Sequence, residues 1–88
     1  MIKLIRFTAP WCAPCRMLAP VLMELEKEHP EVEFQTVDID KNPEAGEAYQ
    51  IRSVPTVVFL KNETHVNTLV GAHPKKVYLD TIRSLHDS

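Results

Sequence analysis

The sequence predicts an α/β fold with the element order βαβαββα, a four-stranded mixed sheet flanked by three helices. Three observations carry that reading. An apolar, β-prone run at Ile2–Phe7 is followed by a helical stripe and then by an alternating stretch at Val32–Asp38, the pattern of a βαβ unit. Two further strand-like runs, at Thr56–Leu60 and His65–Val70, flank a short polar turn and read as a hairpin. A last helical pattern closes the chain. The first crossover implies a parallel strand pair, and the hairpin adds antiparallel partners.

Each element has its own signal. Ile2–Phe7 is nearly continuous in apolar residues, as in a strand buried on both faces, and Thr8-Ala9-Pro10 breaks it. From Cys12 to about Glu28, Met17, Leu18, Val21, Leu22 and Leu25 form one helical stripe, with Glu24, Glu26, Lys27 and Glu28 off it. Pro30 stops this helix, and Pro20 within it predicts a kink. Asn42-Pro43 opens a short helix to about Gln50, with proline at a tolerated first-turn position. Val54-Pro55 punctuates the chain before the third strand, and Lys61–Thr64 turns the hairpin. Gly71 ends the fourth strand. Pro74 opens the last helix, which runs to about Leu85 with Val77, Tyr78, Thr81, Ile82 and Leu85 at helical spacing. Phe7, Phe34, Phe59, Met17 and Leu22 read as core.

Eighty-eight residues suffice for one domain, spanning residues 1–88. Apolar residues at 44% and charged residues at 25% are ordinary for a globular protein. A net charge of −2 with acids and bases interspersed gives no sign of nucleic acid or an anionic membrane as partner. No apolar run approaches the ~18 residues of a spanning helix. MIKLIRF lacks the apolar stretch and cleavage site of a secretory signal, so the sequence reads as cytoplasmic. There are no repeats, and the expected state is a monomer.

Both cysteines lie in one stretch, Ala9-Pro10-Trp11-Cys12-Ala13-Pro14-Cys15-Arg16, beside the only tryptophan. Their spacing admits a structural disulfide, half of a zinc site, or a pair that exchanges electrons. A permanent staple is the weakest of these, because cytosolic disulfides are transient or catalytic and so short a loop constrains the unfolded chain little. Zinc needs four ligands. His29, His65, His73 and His86 are scattered, without the spacing that would complete a site, so no metal is expected. At a helix start, by contrast, Cys12 gains from free N–H groups and the helix dipole, which lower a thiol pKa. Cys15 lies one turn on, on the same face and within disulfide reach. Pro14 has no N–H to lose, and Trp11 offers an apolar shoulder beside an exposed sulfur. A CxxC pair beside a βαβ pattern points to redox chemistry, with Cys12 attacking and Cys15 resolving.

Trp11-Cys12-Ala13-Pro14-Cys15 resembles the thioredoxin active-site motif, with Ala13 where Gly is usual. Further segments resemble the same family in order: Arg16–Pro20, Val37–Pro43, Ile51–Thr56 and Val70–Ala72. The resemblance implies a minimal thioredoxin fold and a thiol–disulfide oxidoreductase that reduces protein disulfides. It implies a cis bond at Val54-Pro55 packed on the cysteines, with the Val54 backbone pairing to an extended client segment. Trp11, Ala13, Pro14, Val54, Pro55, Thr56, Gly71 and Ala72 would border the substrate groove. It also implies disulfide-containing client proteins, ribonucleotide reductase among them by analogy, and a thioredoxin reductase as electron donor. No cofactor is expected beyond the Cys12–Cys15 couple.

Three departures stand out. The strand and helix that usually lead into the motif are missing, as in glutaredoxins and the shortest thioredoxins, such as some from phages and archaea; a phage-encoded chain would work in the host cytoplasm. Arg6 stands where longer members carry a buried acid; it cannot accept the resolving thiol's proton, yet its charge would favour a thiolate. Arg6 and Asp38 are therefore candidate modulators of the thiol pKa, against the plainer expectation that Arg6 snorkels to the sheet surface or pairs with Asp38. Asn62-Glu63 replaces the usual Asn-Gly, which affects the turn type. Asp38 and Asp40 are alternative proton acceptors, although strand-end acids commonly serve as solvated caps. His73 lies near the presumed groove and reads as a surface histidine. Two other functions fit the pattern less well. A glutathione-using glutaredoxin is disfavoured by Trp11, by Ala13-Pro14 and by the lack of a Gly-Gly-Asp element. A non-catalytic binding module is disfavoured because both cysteines are kept.

Overall fold

Successive residues of the first strand serve two different cores. In the computed structural model, which describes residues 1–88, the strands are β1 (Ile2–Thr8), β2 (Val32–Asp38), β3 (Thr56–Lys61) and β4 (Thr64–Val70). The helices are α1 (Ala13–Glu28), α2 (Pro43–Ala48) and α3 (Lys75–His86). Ile2 and Leu4 pack with Leu18, Leu22 and Leu25 of α1 and Tyr78 and Ile82 of α3. Ile5 and Phe7 face the other way, onto Val37, Val58 and Leu60, with Tyr49 and Ile51 closing the α2 side. Burial on both faces is why β1 reads as a nearly continuous apolar run, interrupted only by Lys3 and Arg6 before Thr8.

The sheet order is β2-β1-β3-β4, with β1 parallel to β2 and antiparallel to β3, and β3 antiparallel to β4. Register then collects four chain segments at one end. Thr8 pairs with Asp38, Phe7 with Thr56, and Thr56 with Val70. The end of β1, the end of β2, the start of β3 and the end of β4 therefore lie side by side.

Several boundaries differ from the sequence pattern. The buried stripe of α1 is Cys15, Leu18, Leu22 and Leu25. Met17, expected in the core, is 76% exposed because its neighbour Leu18 takes the inward position. Phe34 is only half-buried, since β2 is an edge strand. α2 stops at Ala48 rather than Gln50. Gln50 turns left-handed (φ 56°), its N–H returns to the Glu47 carbonyl at 3.0 Å, and the Ile51 N–H reaches the Gly46 carbonyl at 2.8 Å. This is a Schellman stop without glycine at the left-handed position. β3 and β4 each extend by one residue into the hairpin, leaving only Asn62-Glu63 as the turn. Pro74 caps α3 from outside, and the helix runs one residue past Leu85.

α3 is tied to the rest at three places. Lys75 pairs with Glu24 and Glu28 of α1, and those two carboxylates raise its pKa. The Lys61 ammonium donates to the carbonyls of Leu85 and Ser88. At the far end of α1, His29 and His86 both approach the Glu31 carboxylate at 3.0 Å. The His29 bond, the residue's own backbone N–H and the His86 bond hold the Glu31 carboxyl down at about 2.

The hairpin turn corrects one expectation. Asn62 (φ 51°) and Glu63 (φ 69°) both lie in the left-handed region, so the primed geometry survives without glycine. A β-carbon there costs about 1–2 kcal/mol, whereas glycine costs about 0.5–1 kcal/mol of extra unfolded-state entropy. Glu63→Gly is therefore expected to stabilise the oxidised protein by about 0.5–1 kcal/mol. The check is an upward shift of the denaturant midpoint at an unchanged slope.

Candidate redox-active site

The end of β1 hands the chain directly to α1. Cys12 is the N-cap, in extended conformation (φ −95°, ψ 103°), and its Sγ accepts the Cys15 N–H at 3.2 Å. The Cys12 carbonyl accepts the Arg16 N–H at 3.3 Å, and the Cys12 N–H donates to the Ala9 carbonyl at 3.2 Å. Pro14, in the first turn, lacks the N–H that would otherwise be orphaned there. A sulfur thus does the work that a serine or aspartate oxygen does in most N-caps. Cys12 and Cys15 are joined by a disulfide with Cα atoms 5.3 Å apart.

The sulfurs are recessed, which corrects the expectation of an exposed one. Cys12 is 4% and Cys15 2% exposed; with Ala9 they form a small core against which Ile39 and Val54 pack. Around them the surface is open: Trp11 is 65% exposed, and Ala13, Pro14 and Ala72 are exposed.

The Val54–Pro55 peptide bond is cis, Pro55 is buried, and Val54 is half-buried against the cysteine cluster. The N–H and C=O of Val54 find no partner within the chain. Thr56, expected at the groove, is 3% exposed and braces the loop instead, its hydroxyl donating to the Ser53 carbonyl at 2.7 Å. Gly71 (φ 85°) turns the chain after β4, a conformation that favours glycine, and its N–H donates to the Pro55 carbonyl at 2.8 Å. The Pro55 and Gly71 loops are therefore one tethered unit.

Charged residues fall differently from the sequence expectation. Arg6 donates to Thr36 Oγ1 at 3.2 Å and does not pair with Asp38. Burial lowers its pKa, and the charge of Glu26 opposes that shift. Asp38 is a turn cap, Oδ1 accepting the N–H groups of Asp40 at 2.8 Å and Lys41 at 3.3 Å. Asp40 receives the Trp11 indole N–H at 3.0 Å. The Arg16 guanidinium donates to the Pro10 carbonyl at 2.8 Å. Neither contact has a spacing signal: the Trp11–Asp40 bond arises because register brings the ends of β1 and β2 together, and the Arg16–Pro10 bond folds the first turn of α1 back on the loop that precedes it. His73 is not a free surface group: its ring bonds the Val70 carbonyl at 2.8 Å and lies edge-on to Tyr78. Tyr78 accepts the His73 N–H at 3.2 Å, and burial pushes its hydroxyl pKa up.

No deep cavity opens at the sulfurs. The largest concavity, about 680 Å³, is lined by Met1, Lys3, Glu33, Tyr49, Leu60, Asn62 and Glu63. No helix is long and apolar enough to cross a membrane.

Comparison with known proteins agrees with this geometry. The family model described as Thioredoxin matches residues 1–84. Thioredoxin 1 of Synechococcus elongatus is 42% identical over 80 residues, 90% of this chain and 75% of that protein. Thioredoxin H4-2 of Oryza sativa is 42% identical over 72 residues, 82% of this chain and 54% of that protein. The solved structure of Fasciola hepatica thioredoxin superposes with a TM-score of 0.87 at 41% identity, covering 93% of this chain and 79% of that one.

The Trp11–Asp40 bond generates a direct test. Asp40→Ala releases the only indole, so its steady-state fluorescence anisotropy is expected to fall while far-UV circular dichroism stays unchanged. Unaltered anisotropy would show that the bond does not hold Trp11.

Proposed function

We propose that this chain, which belongs to the thioredoxin family, carries reducing electrons to disulfides in client proteins. Cys12 is the attacking thiolate and Cys15 the resolving thiol. Family and disulfide together make the protein a thiol–disulfide oxidoreductase. The observation that supports this division of roles is the position of Cys12 as N-cap, its sulfur already accepting the Cys15 N–H. In the reduced chain that N–H and the helix dipole favour the thiolate at Cys12, while Cys15 sits deeper, inside the first turn.

The exchange balances as follows. The Cys12 thiolate attacks one client sulfur, forming a mixed disulfide as the client S–S bond breaks and one client thiolate leaves. The Cys15 thiolate then attacks Cys12 Sγ, closing the intramolecular disulfide and releasing the second client thiolate. Two electrons pass to the client, and two protons complete its thiols. A reductase restores the dithiol.

Protein clients are favoured over glutathione by the shape of the surface. The unpartnered Val54 backbone offers one donor and one acceptor to an extended segment, in the manner of strand addition. Trp11, Ala13, Pro14 and Ala72 give that segment an open, shallow contact, with the Pro55 and Gly71 loops as its floor. Ribonucleotide reductase is one such client, and the cytoplasm is the place of action.

Insulin disulfides should be reduced in the presence of dithiothreitol, and Cys12→Ser should abolish that activity. Cys15→Ser should instead accumulate the client mixed disulfide, seen as a mass adduct. The two-electron potential should lie near thioredoxin's roughly −270 mV rather than the roughly −120 mV of a strong oxidant. Full activity of Cys12→Ser, or preferential turnover of glutathione mixed disulfides, would overturn the reading.

A further inference from the structure

Histidines 29 and 86 are far apart in sequence, yet they converge on one carboxylate. His29 is the C-cap of α1, Glu31 lies in the turn into β2, and His86 is the last residue of α3. His29 Nδ1 and His86 Nε2 each lie 3.0 Å from Glu31 Oε2, and the three ligand atoms fall within 4.8 Å of one another. From these residues we propose a binding site for a divalent transition metal of the zinc type, held by His29, Glu31 and His86.

Two imidazoles and a carboxylate form a donor set that zinc and its neighbours favour. Two bonds of roughly 2.0–2.1 Å at a tetrahedral angle place their donor atoms about 3.3 Å apart, close to the 3.0 Å that separates each imidazole nitrogen from Glu31 Oε2. The partly exposed ligands (side chains 19%, 45% and 41% exposed) leave room for water at a fourth position.

Two of the three ligands are also held from outside. His29 is fixed by its N–H to the Leu25 carbonyl at 2.9 Å. Lys61 grips the last turn of α3 through the Leu85 and Ser88 carbonyls, next to His86. Such preorganisation reduces the ordering cost of binding. A bound ion would clip the end of α1, the start of β2 and the end of α3 together and favour the folded state by mass action. α1, sixteen residues long, separates this corner from the disulfide by about 24 Å. The site is therefore independent of thiol exchange.

The test uses the full oxidised chain, in which the disulfide withholds both sulfurs from the metal. Zinc titrated by calorimetry should bind at one equivalent, and cobalt should give the visible bands of a low-coordinate nitrogen–oxygen site. His86→Ala should weaken zinc binding by about tenfold or more, and His29→Ala/His86→Ala should abolish the one-equivalent step. Both variants should still reduce insulin in metal-free buffer, which separates this outcome from failure of the redox reading. Proton NMR keeps the inference testable should His29→Ala fail to fold: zinc should shift the ring resonances of His29 and His86 and leave those of His65 and His73 in place. Equal zinc affinity in wild type and His86→Ala, or shifts confined to His65 and His73, would overturn it.

Discussion

The pairing of Phe7 with Thr56 is the constraint on which the rest of the structure depends. Because side chains alternate along a strand, a one-residue slip would exchange the two cores, sending Ile5 and Phe7 toward α1 and Ile2 and Leu4 toward α2. The same slip would carry Pro55 away from the turn that holds the cysteines. The apolar alternation of β1 therefore fixes more than stability. It sets the distance between the helix that carries the sulfurs and the loop that covers them.

Around the sulfurs, backbone groups dominate. The N–H of Cys15 faces Cys12, the Val54 peptide lies open beside them, and the Gly71 N–H ties one loop to the other. Arg6 and Asp38, candidate tuners of the thiols, are engaged elsewhere, with Thr36 and with the amides of Asp40 and Lys41. The helix start supplies a field that needs no ionisable neighbour. This division leaves the rim free for shape and apolar contact, which Trp11, Ala13 and Pro14 provide.

Much of this was legible in the sequence because local pattern and final environment agree. Ile2–Phe7 is apolar at every position that meets a core, Leu18, Leu22 and Leu25 keep helical spacing, and Cys12 and Cys15 sit where a helix must begin. Met17 misled because a helical window does not distinguish the edge of a stripe from its centre. Gln50 misled because a Schellman stop normally advertises itself with glycine. Thr56 was placed at the groove by the resemblance, which carries no information on its side chain; that the hydroxyl turns inward to the Ser53 carbonyl is visible only in the fold. The Trp11–Asp40 bond and the meeting of His29 with His86 were illegible for a deeper reason. They join residues whose proximity follows from sheet order and helix length, neither of which leaves a mark at fixed spacing.

Both lateral margins of the sheet, β2 and β4, have no neighbouring strand. Such margins can template growth from one molecule to the next, and a small chain has little material with which to cover them. Here protection comes from irregularity and polarity. On one side the ladder slips between Phe59 and Leu60, leaving Val66 as the unmatched residue, and on the other Glu33 and Gln35 project outward. Val66 and Val70, 45% and 60% exposed, are the apolar gaps in that defence. Colloidal behaviour at high concentration is thus governed by a kinked border and a few polar side chains rather than by an overlying layer.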